Sequence, residues 1–236
     1  MTQGAPKVWG GTTLDARRDA RRRALLDVGL ELLGGAGQGS AVTVRSVCRH
    51  AKLTDRYFYE SFADRDELLV AVYDQVAERV RDVLNEAVAG VVAARPPDQP
   101  AAIARAAVEA FLGELTADPR KGRVLLLAPM TDAVLSARAA ELMPVFAELI
   151  RVQLAAGHGA APAARAAGDG AAPAGQSTAP AAERMTATAL IGALSQLFIR
   201  WLDGTLEVGE RELTDYSVRL LLHSVPLARP ANGPHG

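Results

Sequence analysis

Apolar residues return every three or four positions along most of this chain, and no stretch sustains period-two alternation. That rhythm is the signature of amphipathic helices with one buried face. From Asp15 a stripe of Leu25, Leu26, Gly29, Leu32 and Leu33 predicts a first helix, preceded by arginines. The run "GGAGQG" at 34–39 ends it, because glycine tolerates the left-handed backbone that closes helices. Val44, Val47, Cys48 and Ala51 form the stripe of a short second helix over 43–51. A third follows within 54–62, where Thr54 occupies an N-cap position. Asp64 and Glu67 have capping-box spacing. Behind them Leu68, Leu69, Val72, Val76, Val80, Val83, Leu84 and Ala87 predict a long helix over 65–94, closed by "RPPDQP". Further helices are expected at 100–117, 119–127, 132–156, 182–204 and 209–224. The expected fold class is all-α.

The pattern fails in three places. Residues 1–14 and 226–236 read as tails. Residues 157–181, "GHGAAPAARAAGDGAAPAGQSTAPA", are low-complexity Ala, Gly and Pro without periodicity, expected to be a disordered loop. This leaves a three-helix head at 15–63 and a helical body at 64–225.

Composition narrows the function. A formal net charge of −1 gives no global attraction to nucleic acid or membranes, although a mean conceals local patches. The single cysteine, Cys48, cannot form an intrachain disulfide. The N-terminal residues lack an apolar signal core, and apolar runs such as "VLLLA" at 124–128 are short. A cytoplasmic protein without a membrane span is expected. His50, His158, His223 and His235 lack ligand spacing, so no metal site is expected. "GGAGQGS" lacks the Lys-Ser/Thr and the preceding strand of a phosphate loop. No catalytic constellation is legible, and neither an enzyme nor a cofactor is expected.

The head holds the most distinctive chemistry. The chain has five phenylalanines and four tyrosines, and Tyr57, Phe58, Tyr59 and Phe62 crowd into one short stretch beside Arg56 and Lys52. Two short helices joined by a tight turn and preceded by a longer helix form a helix-turn-helix arrangement. The second short helix of such a unit presents polar side chains to base edges while its other face packs inward. Phe58 and Phe62, four apart, share a face and are expected in the core. Asp55, Arg56 and Tyr57 lie in the first turn on another side. Arginine can make two hydrogen bonds to a guanine edge, tyrosine offers a hydroxyl to phosphate and a ring to a thymine methyl, and a carboxylate accepts from cytosine.

The stretch "VTVRSVCRHAKLTDRYFYESFADRDEL" at 42–68 resembles, without gaps, the DNA-binding head of the TetR family of transcriptional repressors. Val44, Arg45, Ala51, Tyr59, Phe62 and Leu68 match that family's pattern outright; Val47, Leu53, Thr54, Phe58 and Arg65 are close substitutions. The resemblance implies a DNA-binding set of Thr43, Arg45, Thr54, Asp55, Arg56, Tyr57, Tyr59 and Arg65. Within it Thr43, Tyr59 and Arg65 would contact phosphate, Arg45 would support Thr43, and Asp55, Arg56 and Tyr57 would read bases. Arg17, Arg18, Arg21, Arg22 and Arg23 would add nonspecific attraction or lead into the minor groove, or else form a solvated face with Asp15, Asp19 and Asp27. Three positions depart from the family: Lys52 stands where glycine is usual in the turn, Tyr57 replaces a small residue, and Asp55 adds a negative charge.

The resemblance further implies a body that binds a small, hydrophobic effector and dimerises through the last two helices. "TALIGALSQLFIRWL" is apolar nearly all round, and Ala189, Gly192, Ala193 and Ser195 allow close approach of a partner helix. Pocket candidates are Phe111, Leu115, Met130, Met143, Phe146, Leu149 and Ile150, all equally consistent with ordinary core. The implied partners are double-stranded palindromic operator DNA, the effector and a second copy of the chain. The competing reading is a helical small-molecule-binding or structural protein whose head has lost DNA binding.

Overall fold

The computed structural model describes residues 14–35, 42–156, 181–224 and 227, with the side chains of 149 and 151–156 outside that description. Residues 1–13, 36–41, 157–180, 225–226 and 228–236 lie outside it, and with them most of both tails, the end of the glycine-rich run and nearly all of the expected disordered loop. Among the described residues there is no strand. The helices are α1 (Leu14–Gly34), α2 (Val44–Ala51), α3 (Asp55–Tyr59), α4 (Arg65–Ala94), α5 (Gln99–Ala117), α6 (Pro119–Gly122), α7 (Ala133–Ala156), α8 (Ala181–Leu202) and α9 (Glu210–Ser224). The all-α expectation holds, and α4 has the predicted bounds. The expected helix at 119–127 is instead α6 followed by a π turn at Arg123–Leu127 and a 3-10 turn at Ala128–Met130. α7 runs through Pro144 despite the lost backbone donor.

The residues fall into two compact units. The first comprises residues up to Ala77 together with Asp118–Ser136, and the second comprises Glu78–Ala117 and the chain from Ala137 onward. Segment 118–136, which sequence reasoning placed in the body, therefore groups with the helix-turn-helix.

In the first unit Leu25, Val47, Phe58, Phe62, Leu68, Leu69 and Val72 are buried almost completely. They are the apolar stripes of α1 to α4 meeting in one core. Gly29 lets α1 approach α4 closely, since a Cβ there would sit 2.7 Å from Val72 Cγ2. Gly34 ends α1 for a reason the sequence did not disclose. The left-handed geometry expected of this glycine run is not what Gly34 supplies: positive φ among the described glycines belongs to Gly204. At Gly34 a Cβ would meet the Arg120 carbonyl oxygen at 2.5 Å, and Arg123 Nη1 donates to the Gly34 carbonyl at 3.0 Å. The helix end is thus held against α6 and the π turn.

In the second unit α5 packs along α9, and α8 packs against α9. Arg105 of α5 donates to Asp215 of α9 at 2.7 Å, and Phe111 stacks tilted on Phe198 of α8 with centroids 4.9 Å apart. Trp201 Nε1 donates to the Val208 carbonyl at 3.0 Å and closes the turn between α8 and α9.

Candidate nucleic-acid interface

Local chemistry builds α2 and the turn after it. Thr43 caps α2: its Oγ1 accepts from the Ser46 amide at 3.1 Å, while its own amide donates to Ser46 Oγ at 2.9 Å. This reciprocal box satisfies backbone donors that a helix start leaves without partners. At the other end Lys52 takes the left-handed conformation, φ 53° and ψ 39°. The Leu53 amide donates to the Cys48 carbonyl at 3.0 Å and the Lys52 amide to the Arg49 carbonyl at 3.3 Å. These are the two bonds of a Schellman ending. Lys52 thus accepts the geometry that glycine would adopt freely.

The turn delivers the chain into α3, five residues long. Thr54 occupies the N-cap position, but its side chain makes no capping bond, contrary to expectation. What fixes α3 is burial. Phe58 and Phe62 are in the core with centroids 5.8 Å apart, and Tyr59 meets Phe58 edge-on at 5.5 Å. Tyr59 itself is 59% exposed, so its hydroxyl is available to a partner.

The remaining predicted residues separate by environment. Thr43, Arg45, Thr54, Asp55, Arg56, Tyr57 and Tyr59 are all exposed, and α2, the turn and α3 bring them together in the first unit. A hydroxyl that accepts one bond, as Thr43 does, retains a proton to donate. Asp55, although exposed, also acts on the buried Cys48 behind it. Burial first, then a hydrogen bond to Asp55 and its negative charge, push the Cys48 thiol up to about 11. Cys48 is a buried small residue, as expected, but one tied to the first turn of α3. Tyr57 is only partly open, because the Arg21 guanidinium lies 4.4 Å from its ring centroid.

Arg65, expected at a phosphate, makes three bonds within the chain. Its Nε donates to the Val42 carbonyl at 2.8 Å, Nη1 to Asp66 at 2.7 Å and Nη2 to Asp132 at 2.6 Å. Burial opposes its charge, but the bonds to Asp132 and Asp66 outweigh that and raise its pKa. In this structure the guanidinium joins the starts of α2, α4 and α7. Next to it, Glu67 completes a variant capping box: its amide donates to Asp64 Oδ1 at 2.8 Å, while its carboxylate accepts from the Ala63 amide rather than from that of Asp64.

The arginines of α1 divide similarly. Arg18 Nη2 donates to the Glu60 carbonyl at 2.9 Å, Arg21 pairs with the Glu60 carboxylate at 3.4 Å, Arg22 covers the Phe62 ring at 4.6 Å, and Arg23 bonds to the Asp19 carbonyl. Several of these cations therefore serve the fold of the head. Glu60 also pairs with Arg56 at 3.2 Å, while the Arg56 side chain stays 85% exposed. Sequence reasoning did not single out Glu60. Its spacing of four from Arg56 was a legible signal; the contact with Arg21 was not.

The pocket candidates are not all brought together. Leu115 is fully buried, Phe111 faces Phe198, and Ile150 packs against Leu190 of α8, all in the second unit. Phe146 is half-buried and Met143 exposed. Met130 belongs to the first unit and is 63% exposed. The side chain of Leu149 lies outside the described residues. No group of three His, Cys, Asp or Glu suited to a metal occurs among the described residues.

One described helix, Ala181–Leu202, is long and apolar enough to cross a membrane by length and composition, although no such segment was expected. Only 28% of its apolar window is buried within the chain. Met185, Thr188, Ala189, Gly192, Ala193 and Gln196 form one open face, with nothing within 4 Å of a Cβ placed on Gly192.

No family model matches this chain, and no curated protein does. Solved structures match over nearly its whole length. A TetR-like transcriptional regulator from Rhodococcus sp. RHA1 is 19% identical and superposes with a TM-score of 0.60, covering 87% of this chain and 96% of its own. The transcriptional regulator FadR from Bacillus subtilis, in complex with stearoyl-CoA, is 13% identical with a TM-score of 0.61 over 86% and 98% of the two chains. The multidrug binding protein EbrR, complexed with imidazole, is 24% identical with a TM-score of 0.53 over 96% and 100%. The chain has the all-α fold of TetR-type regulators.

Proposed function

We propose that the protein is a TetR-type transcriptional repressor that binds palindromic operator DNA as a dimer and is released by a small hydrophobic effector. The observation that carries this reading is the α2–turn–α3 unit. A buried Phe58–Phe62 pair anchors a short helix whose first turn exposes Arg56 and whose last residue exposes Tyr59. Thr43 and Arg45 stand exposed at the start of the preceding helix. Arg56 and Tyr57 read bases in the major groove, Asp55 borders them, and Thr43, Arg45 and Tyr59 position the unit on phosphates. Arg65 serves the head from within, by fixing its helices.

Residues 15–63 are the reading head in this proposal, and 64–225 carry effector binding and dimerisation. The open face of α8, together with α9, receives a second copy. Two heads then read half-sites about 34–36 Å apart. The effector site lies among α5, α7 and α8, where Phe111, Leu115 and Ile150 offer apolar surface. An effector that favours a conformation with separated heads lowers operator affinity by its differential affinity for that state.

The test is binding to DNA fragments flanking the gene, at stated salt. Saturable, sequence-dependent binding by a dimer is expected. Replacing Arg56 with alanine should relax preference at one base pair, a change of about 1–3 kcal/mol in discrimination. Tyr59→Phe should weaken all sites alike. A well-folded dimer with no sequence-dependent binding would support instead a helical ligand-binding protein with a degenerate head.

A further inference from the structure

Glu60 has no role in the DNA-contact set drawn from the sequence, yet three arginines meet at it. Its Oε1 accepts from Arg56 Nε at 3.2 Å and its Oε2 from Arg21 Nη2 at 3.4 Å, while its carbonyl accepts from Arg18 Nη2 at 2.9 Å. The same Arg21 guanidinium lies 4.4 Å from the centroid of the Tyr57 ring. Two of the three outward side chains of the first turn of α3 are thus linked to one carboxylate, Arg56 directly and Tyr57 through Arg21.

We propose that Glu60 is a positioning residue that determines base specificity: it holds Arg56, and through Arg21 the ring of Tyr57, ready for a base pair. The inference rests on the DNA-binding function proposed above. An arginine on a solvent-exposed helix samples many rotamers, and Arg56 is 85% exposed. Engaging Nε from behind narrows that set and leaves the two terminal nitrogens to face a guanine edge. The Arg56–Glu60 pair is exposed and separated by one helical turn, so it adds little to folding stability. Its consequence is geometric. Glu60 also offsets cationic charge beside the proposed phosphate contacts, so it should lower affinity for DNA in general while raising discrimination.

That combination separates positioning from a structural role. Selection from a randomised duplex pool would define the wild-type preference, and Arg56→Ala would identify the base pair that Arg56 reads. Glu60→Gln, nearly identical in shape, is expected to cut discrimination at that base pair about 3- to 10-fold, leaving distant positions unchanged. Its binding to a nonspecific duplex should rise a few-fold, with a salt dependence steeper by about one charge. Nitrogen-15 spectra of the arginine side chains give a second readout without DNA: the Arg56 Nε–H signal should exchange slowly in the wild type and faster in Glu60→Gln, whose neutral amide oxygen is the weaker acceptor. Unchanged discrimination at the Arg56 base pair in Glu60→Gln would overturn the inference and leave the DNA-binding reading intact. An equal loss of specific and nonspecific binding would reduce Glu60 to a structural part and overturn it too. A wild-type protein without any sequence preference would overturn the functional reading itself, and this inference with it.

Discussion

Arg65 and Asp132, sixty-seven positions apart in sequence, meet at 2.6 Å. Asp132 also caps α7, accepting from the Val134 amide at 3.0 Å and the Leu135 amide at 3.3 Å. Arg65 in turn holds the carbonyl of Val42, just before α2. One ion pair therefore ties segment 118–136 to the framework of the head. Burial would raise the pKa of Asp132, but the bonds from Arg65, Leu135 and Val134 outweigh it, and the carboxyl titrates below its ordinary range. A carboxylate whose folded pKa is depressed contributes stability above its unfolded value, near 3.9, and loses it as pH falls through the folded value. Asp132→Asn should therefore cost about 1–3 kcal/mol at neutral pH. The difference from wild type should shrink below about pH 4. Urea unfolding at several pH values checks both, and a difference independent of pH would rule out this origin.

Lys52 makes a simpler case. Its φ of 53° lies where glycine is unstrained. Lys52→Gly should stabilise the protein by up to about 1 kcal/mol, since relief of the left-handed strain exceeds the entropy glycine adds to the unfolded chain. Lys52→Val should destabilise it, because a β-branched residue tolerates positive φ poorly. Shifts in the denaturation midpoint measure both.

Cys48 should be chemically quiet. Its thiol is pushed up to about 11, by burial first and by Asp55 second. Since the thiolate is the reactive form, native protein at pH 8 should label far more slowly with a thiol reagent than unfolded protein. Asp55→Asn should speed labelling by lowering that pKa. The sign of the linkage follows: a raised folded pKa gives stability that is complete below the unfolded value and declines as pH rises through about 11. Labelling at wild-type rate in Asp55→Asn would show that Asp55 does not act on the thiol.

The open face of α8 predicts the assembly. Ala193 and Gly192 lie exposed on it. Ala193→Arg should replace a small contact by a long charged one and convert a dimer to a monomer in sedimentation velocity at micromolar protein. Binding to a palindrome should then fall much more than binding to a half-site. A dimer that survives this change would place the interface elsewhere.

Sequence alone determined the class of fold, because helical periodicity is written locally: the stripe of α4, the capping-box spacing of Asp64 and Glu67, and the i,i+4 core pair Phe58 and Phe62 each involve neighbours within one turn. It also located the short helix α3 and the turn at Lys52, since both depend on residues a few positions apart. Tertiary structure decided the roles that depend on distant partners. Arg65 resembles a phosphate contact by position, yet Asp132 and Val42 bind it into the framework of the first unit. Arg21 looks like one more surface cation, yet it lies over Tyr57. Gly34 looks like a helix stop, yet it makes room for Arg120. No periodicity records which side chains meet across dozens of residues; that follows only from how the helices pack, and packing assigned these charges to the scaffold of the head.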